Sequence, residues 1–90
     1  MKKFVIERSV AGVGGNDQKG LSGIAHKSND ALAKLSPRVQ LQESFVTADK
    51  TFCIYLAEDE AVIREHARIS GFPANVITEV KAVIDPATET

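Results

Sequence analysis

The chain has 90 residues, of which 43% are hydrophobic and 26% are charged, the composition of an ordinary folded domain. Eleven basic and twelve acidic side chains give a net charge of -1, and the absence of a basic run argues against nucleic acid as a partner. The first apolar run stops at Glu7, too early for a signal core or a membrane span. A single cysteine excludes an internal disulfide, so we expect a cytoplasmic protein.

The first half of the sequence predicts a strand followed by a helix. β-Branched and aromatic residues favour a strand over residues 4–10, and a glycine-rich loop follows it. Asn16 or Asp17 can cap a helix that ends before Pro37. The apolar face of this helix repeats with a period of 3.6 residues and consists of Leu21, Ile24, Ala25, Ser28, Leu32 and Leu35.

The second half predicts a hairpin, a helix and a last strand. Strands over residues 39–47 and 51–57 are separated by a short turn and should pair as a hairpin. Asp59 caps the second helix, which ends at Gly71. A fourth strand is expected over residues 76–84. We expect one domain over residues 1–86 and a short polar tail over residues 87–90.

The predicted order βαββαβ is typical of an α+β, ferredoxin-like fold, with a four-stranded antiparallel sheet and both helices on one face. Strand three places Phe52, Ile54 and Leu56 on one side and Cys53, Tyr55 and Ala57 on the other, so neither side is polar. We therefore expect a homodimer through the uncovered sheet faces, a dimeric α+β barrel. The sequence leaves open which side the helices cover.

The second helix sets His66 on the same face as Ile63 and Ser70, pointing toward the sheet. Imidazole is the commonest protein metal ligand and a good proton carrier near neutral pH. Cys53 and Tyr55 are its candidate partners if their side of strand three faces this helix. The structural alternatives are a core histidine bonded to a backbone carbonyl, a small buried cysteine and a packed tyrosine.

Two carboxylates could complete a mixed site. Glu7 interrupts strand one, and Glu43 lies beside Ser44 in strand two. A half-buried carboxylate needs a partner, which is either a cation or a salt bridge to Arg8 or Lys81. Nitrogen, oxygen and sulfur ligands suit nickel, cobalt or zinc better than magnesium or calcium.

Other chemistry-bearing residues have simpler interpretations. His26 falls on the polar side of the first helix and is expected to be solvated. Gly12, Gly14 and Gly15 precede a helix, but no Gly-Lys-Ser or Gly-Lys-Thr follows, so they do not predict a phosphate loop. No local motif supports a hydrolytic triad.

Six segments resemble a family of small ferredoxin-like proteins typified by an actinobacterial nickel-binding protein. They are residues 4–8, 43–50, 52–57, 60–68, 71–75 and 77–80. The resemblance implies a dimeric ferredoxin-like barrel and nickel binding. Phe45 stands where a tyrosine is frequent in the family. The residues that match the family pattern are Glu7, Ser44, Cys53, Tyr55 and the Ile-Arg-Glu-His run that ends at His66.

The leading hypothesis is a cytoplasmic homodimer that sequesters or transfers a divalent transition metal, nickel first among them. Its ligands would be His66, Cys53, Tyr55 and a carboxylate, either Glu7 or Glu43. The alternative is a small-molecule enzyme that resembles ferredoxin-like monooxygenases and isomerases, with His66 as general base and Tyr55 as hydrogen-bond donor. A third possibility is a sheet-mediated dimer module without a site.

Overall fold

The structure, a computed structural model, describes residues 1–89 and has the predicted order of helices and strands. The sheet is antiparallel in the order β2-β3-β1-β4, and both helices pack on one face of it. The predicted ferredoxin-like α+β fold is confirmed. The elements are β1 Lys2–Ser9, α1 Gln18–Leu35, β2 Val39–Val46, β3 Lys50–Ala57, α2 Glu60–Ser70 and β4 Val76–Val80, with short 3-10 helices at Val13–Gly15 and Pro86–Thr88.

Side-chain caps and a left-handed glycine set the ends of the helices. The Asp17 carboxylate accepts the backbone N–H of Gly20 at 2.9 Å, so Asp17 rather than Asn16 caps α1. The Asp59 carboxylate likewise accepts a backbone N–H at the start of α2. Gly71 ends α2 with a φ of 80°, a conformation in which a side chain would be strained.

The fourth strand is shorter than the sequence predicts. The prediction extended to residue 84, but β4 ends at Val80. The reason lies in the neighbouring strand: Val80 pairs with Lys3, and β1 begins at Lys2, so no ladder partners remain for the following apolar residues. A prediction from apolar content alone therefore overestimates the length of this strand.

The helices cover the sheet side that carries Cys53 and Tyr55. Both side chains are buried, at 5% and 2% exposure, whereas Phe52 and Ile54 are only partly buried on the opposite side. The core between the helices and this side contains Ile6 and Ile63, both without exposed surface. Burial of each such side chain contributes about 1.5 to 3 kcal/mol.

A β-bulge in β2 changes which side chains face the helices. The register with β3 shifts between Leu41 and Glu43. Leu41 pairs with Tyr55 on the helix side, while Glu43 pairs with Ile54 on the uncovered side. Because a bulge inserts one extra residue, the alternation of side chains reverses after it.

The uncovered sheet face is open and carries exposed apolar side chains beside charged ones. Phe45 and Val76 are 52% and 48% exposed there, and both lie in the row of side chains that also contains Phe52 and Glu7.

Within residues 1–89, neither helix is long and apolar enough to cross a membrane.

Candidate functional site

The five residues that the sequence predicts as metal ligands lie on opposite sides of the sheet. Cys53, Tyr55 and His66 lie on the helix side and are buried. Glu7 pairs across the sheet with Phe52, and Glu43 with Ile54, so both carboxylates lie on the uncovered side. Strand alternation and the β2 bulge thus separate the carboxylates from the histidine within one chain.

The half-buried Glu7 has a salt-bridge partner. The Lys50 Nζ atom lies 2.6 Å from Glu7 Oε1, and the Glu7 side chain is 28% exposed. The salt bridge considered from the sequence is present, but with Lys50 rather than with Arg8 or Lys81. Lys81 instead pairs with Glu79.

His66 is fixed by a contact with α1. Its Nε2 atom lies 3.3 Å from the backbone carbonyl oxygen of Ser28 and 3.3 Å from the Ser28 hydroxyl. The carbonyl oxygen can only accept, so Nε2 carries the hydrogen and donates it. Nδ1 is then the unprotonated nitrogen, and it is buried without a hydrogen-bond partner among residues 1–89.

The surroundings of His66 keep its imidazole neutral. Burial lowers the pKa of His66 below its ordinary value of 6.5, and the nearby positive charge of Arg8 lowers it further, against a smaller opposing effect of the Ser28 carbonyl. The Tyr55 ring lies beside it, with ring centroids 5.5 Å apart and planes tilted by 60°. A neutral imidazole with one free lone pair is the form that binds metal ions.

Arg8 is a functional candidate that the sequence reasoning considered only as a partner for Glu7. It is 3% exposed, its Nη1 donates to the Pro73 carbonyl at 2.6 Å, and its Nη2 donates to the Tyr55 hydroxyl at 3.2 Å. The alternation of side chains along β1 indicates that Arg8 is buried, because Arg8 shares a strand face with Phe4 and Ile6. A charged residue on the same strand face as two core residues is unusual, and this makes Arg8 a candidate for a functional role.

A cavity of about 190 Å³ lies between the sheet and α1. His66 is not part of its lining, although its neighbours Tyr55 and Ser28 are. A general base must reach the proton that it removes. Because His66 does not line the cavity, the structure gives no support to His66 as a general base for a molecule bound there. The sheet contributes Arg8, Ser44, Val46, Thr51, Cys53 and Tyr55, and the other elements contribute Val10, Val13, Leu21, Ile24, Ala25, Ser28 and Phe72.

Cys53 lies in this cavity as a free, buried thiol. The Ser44 hydroxyl donates to its sulfur at 3.0 Å, and the thiol points to Thr51 Oγ1 at 3.8 Å. Within residues 1–89, no three side chains of His, Cys, Asp or Glu gather closely enough to hold a metal ion. A preformed metal cluster is therefore not a feature of this part of the chain.

The comparisons with known proteins agree with the fold. Residues 4–80 match the family described as "Nickel responsive protein SCO4226-like". The structure is similar to the crystal structure of SCO4226 from Streptomyces coelicolor A3(2), with a TM-score of 0.70 and 19% identity over 91% of this chain and 99% of that chain. No curated protein matches this chain. The resemblance seen in the sequence is confirmed, and the chain belongs to the SCO4226-like family of nickel responsive proteins.

Proposed function

We propose that this chain forms a homodimer that binds nickel, with Nδ1 of His66 as the first ligand. The observation that carries the proposal is the partnerless Nδ1 on a histidine whose other nitrogen donates to a backbone carbonyl. Metal-binding histidines have this arrangement, because the second hydrogen bond holds the tautomer and orients the ring. A buried polar atom without a partner otherwise costs free energy.

Tyr55 and Cys53 are the proposed additional ligands. Tyr55 packs against the His66 ring, and Cys53 lies two residues away on the same side of β3. Imidazole nitrogen, thiolate sulfur and phenol oxygen form a mixed set suited to a borderline divalent ion such as nickel. Because no cluster is preformed in residues 1–89, the site would assemble when the ion binds.

The charge of Arg8 requires at least one anionic ligand. Arg8 donates to the Tyr55 hydroxyl, so a bare dication near this hydroxyl would be repelled. A thiolate at Cys53 would offset that repulsion and would release a proton when the metal binds. We therefore expect nickel binding to strengthen as pH rises.

The uncovered sheet face is the proposed dimer interface. A partly exposed apolar surface with Phe45, Phe52 and Val76 is costly in water and is removed from it when two sheets pack face to face. Glu7 and Glu43 would then lie at the interface rather than at the histidine. A free thiol suits a reducing compartment, which agrees with a cytoplasmic protein that sequesters or transfers nickel.

Isothermal titration of metal-free protein with nickel tests the proposal. His66→Gln should weaken binding at least about tenfold, since one ligand is lost. His26→Gln is the matched control, because His26 is an exposed histidine paired with Asp30 at 3.4 Å. Nickel binding lost in His26→Gln and kept in His66→Gln would place the site on the surface of α1 and overturn the proposal.

X-ray absorption of the nickel-loaded wild-type protein gives an independent answer if His66→Gln does not fold. The proposal predicts a sulfur neighbour of the metal in addition to nitrogen and oxygen. A ligand shell of oxygen and nitrogen only would remove Cys53 from the site.

A further inference from the structure

Arg8 is a buried cation that no carboxylate within residues 1–89 neutralises. It takes part in none of the salt bridges within residues 1–89. The adjacent Glu7 points to the opposite side of the sheet and pairs with Lys50. A buried charge without a counter-ion is costly, and proteins pair such charges or use them for binding.

The hydrogen bonds of Arg8 leave part of its guanidinium free. Two N–H groups donate to the Pro73 carbonyl and the Tyr55 hydroxyl, while a guanidinium has five N–H donors. Both acceptors are formally neutral. A carbonyl carries no net charge, and a tyrosine hydroxyl, with an ordinary pKa of about 10, is protonated at neutral pH. Among the described residues, none of the hydrogen-bond partners of Arg8 therefore supplies a negative charge.

Arg8 lies in the wall of the cavity between the sheet and α1. Tyr55, Thr51 and Ser28, which carry hydroxyl groups, also line the cavity. The Tyr55 oxygen accepts from Arg8, so its own hydrogen can be donated to a ligand. The remainder of the lining is mainly apolar and includes Val10, Val13, Leu21, Ile24, Val46 and Phe72. An apolar pocket with a few polar groups is the usual form of a small-molecule site.

We propose that this cavity binds a small organic monocarboxylate, with its carboxylate on Arg8 and Tyr55 and its apolar part against Leu21, Ile24 and Phe72. Guanidinium and carboxylate are complementary in charge and in planar geometry. A single guanidinium neutralises one negative charge, so a monoanion is favoured over phosphate. A cavity of about 190 Å³ is somewhat larger than one of about 150 Å³ that holds benzene, which sets the size at that of an aromatic acid.

This inference goes beyond the proposed nickel site, because the ligand is an anion held by Arg8 and its contacts do not include His66. The two sites share Tyr55, so each ligand is tested in the absence of the other. Titration of metal-free protein in the presence of a chelator, with benzoate and with its neutral analogue benzamide, tests it. Benzoate should bind at least about tenfold more tightly than benzamide, since only benzoate brings a negative charge that neutralises Arg8 and can accept two parallel hydrogen bonds from it.

Substitutions in the cavity separate the site from non-specific binding. Ala25 lines the cavity but is exposed, so Ala25→Trp should fill the space with little effect on the core and should abolish benzoate binding. Ala33→Trp, an exposed change on the same helix away from the cavity, should bind benzoate like the wild type. Equal affinity for benzoate and benzamide, no binding of benzoate, or unchanged binding in Ala25→Trp would overturn the inference.

Removal of the charge provides the second test. Arg8→Met should reduce benzoate affinity at least about tenfold, whereas Lys50→Met, which removes a basic residue from the opposite sheet side, should not. If Arg8→Met does not fold, the Arg8 Nε–H resonance of the wild-type protein serves instead. It should shift when benzoate is added and stay unchanged with benzamide, and the absence of a selective shift would contradict the proposal.

Discussion

The imidazole of His66 is held by α1 through the backbone of Ser28: Nε2 lies 3.3 Å from the Ser28 carbonyl oxygen. This contact places the hydrogen on Nε2 and leaves Nδ1 as a lone pair without a partner in residues 1–89. The residue is therefore fixed in tautomer and orientation, as in a metal-binding histidine. Burial and the charge of Arg8, rather than this contact, make the protonation of His66 unfavourable.

The stability of the fold should fall as pH decreases through the range of histidine titration. The folded-state pKa of His66 is depressed, so below about pH 6.5 the unfolded chain binds a proton that the folded chain does not. The free energy of unfolding should decrease with falling pH until the folded-state pKa is reached, by about 1.4 kcal/mol for each unit of pKa difference. Above about pH 6.5 the residue is neutral in both states and the effect vanishes.

Urea unfolding of the metal-free protein across this pH range measures the effect. His66→Gln should lose this component of the pH dependence, while His26→Gln should keep it, because His26 is 79% exposed. Equal slopes in wild type and His66→Gln would show that the burial of His66 does not control the pH dependence.

Removal of the Arg8 charge should raise the pKa of His66. Burial is the larger cause of the depressed pKa and the charge of Arg8 is the second, so Arg8→Met should restore part of the ordinary value. A ¹⁵N NMR titration of the His66 ring measures the change directly. Lys50→Met is the control and should leave the pKa of His66 as it is, since Lys50 pairs with Glu7 across the sheet. A His66 pKa unaffected by Arg8→Met would show that the two groups are not coupled.

A lysine at Phe45 should dissociate the proposed dimer. Phe45 is 52% exposed on the uncovered sheet face, and a charge placed in an apolar interface costs enough to weaken association at least about tenfold. Sedimentation equilibrium measures the change. Val46→Lys is the matched control, because Val46 is similarly exposed at 44% but lies on the cavity side. Dissociation by both substitutions, or by neither, would contradict an interface on the uncovered face.

Cys53→Ser should weaken nickel binding and remove any sulfur-to-nickel charge-transfer absorption. The thiol already accepts a hydrogen bond from Ser44 at 3.0 Å, so a serine hydroxyl fits the same position with little structural change. The expected loss is at least about tenfold, since oxygen of a neutral hydroxyl is a weaker ligand than thiolate. A nickel titration in which Cys53→Ser behaves like the wild type would exclude the cysteine.

Local signals in the sequence predicted most of the fold. Asp59 and Gly71 mark the ends of α2, and the 3.6-residue period places His66 toward the sheet. The predicted end of β4 was wrong because strand length depends on the partner: β1 begins at Lys2, so it offers no partner to the apolar residues that follow Lys81. The position at which β1 begins cannot be predicted from residues 76–84 themselves.

The candidate site was predicted only in part, for two physical reasons. Alternation along β3 grouped Cys53 with Tyr55, but only packing decides that the helices cover this side. The bulge after Leu41 turns Glu43 away from the helices, and no residue of that segment indicates it. The burial of Arg8 could be predicted from the alternation of side chains along β1, but the sequence was interpreted with Arg8 only as a salt-bridge partner of Glu7.

The most direct test of the nickel proposal is the response of the His66 ring nitrogens to metal, observed by long-range ¹H–¹⁵N NMR with zinc as a diamagnetic substitute for nickel. Free His66 should carry its hydrogen on Nε2, and its Nδ1 resonance should shift when the metal binds, while His26 is unaffected. A metal-dependent shift confined to His26, with Nδ1 of His66 unchanged, would contradict the nickel proposal.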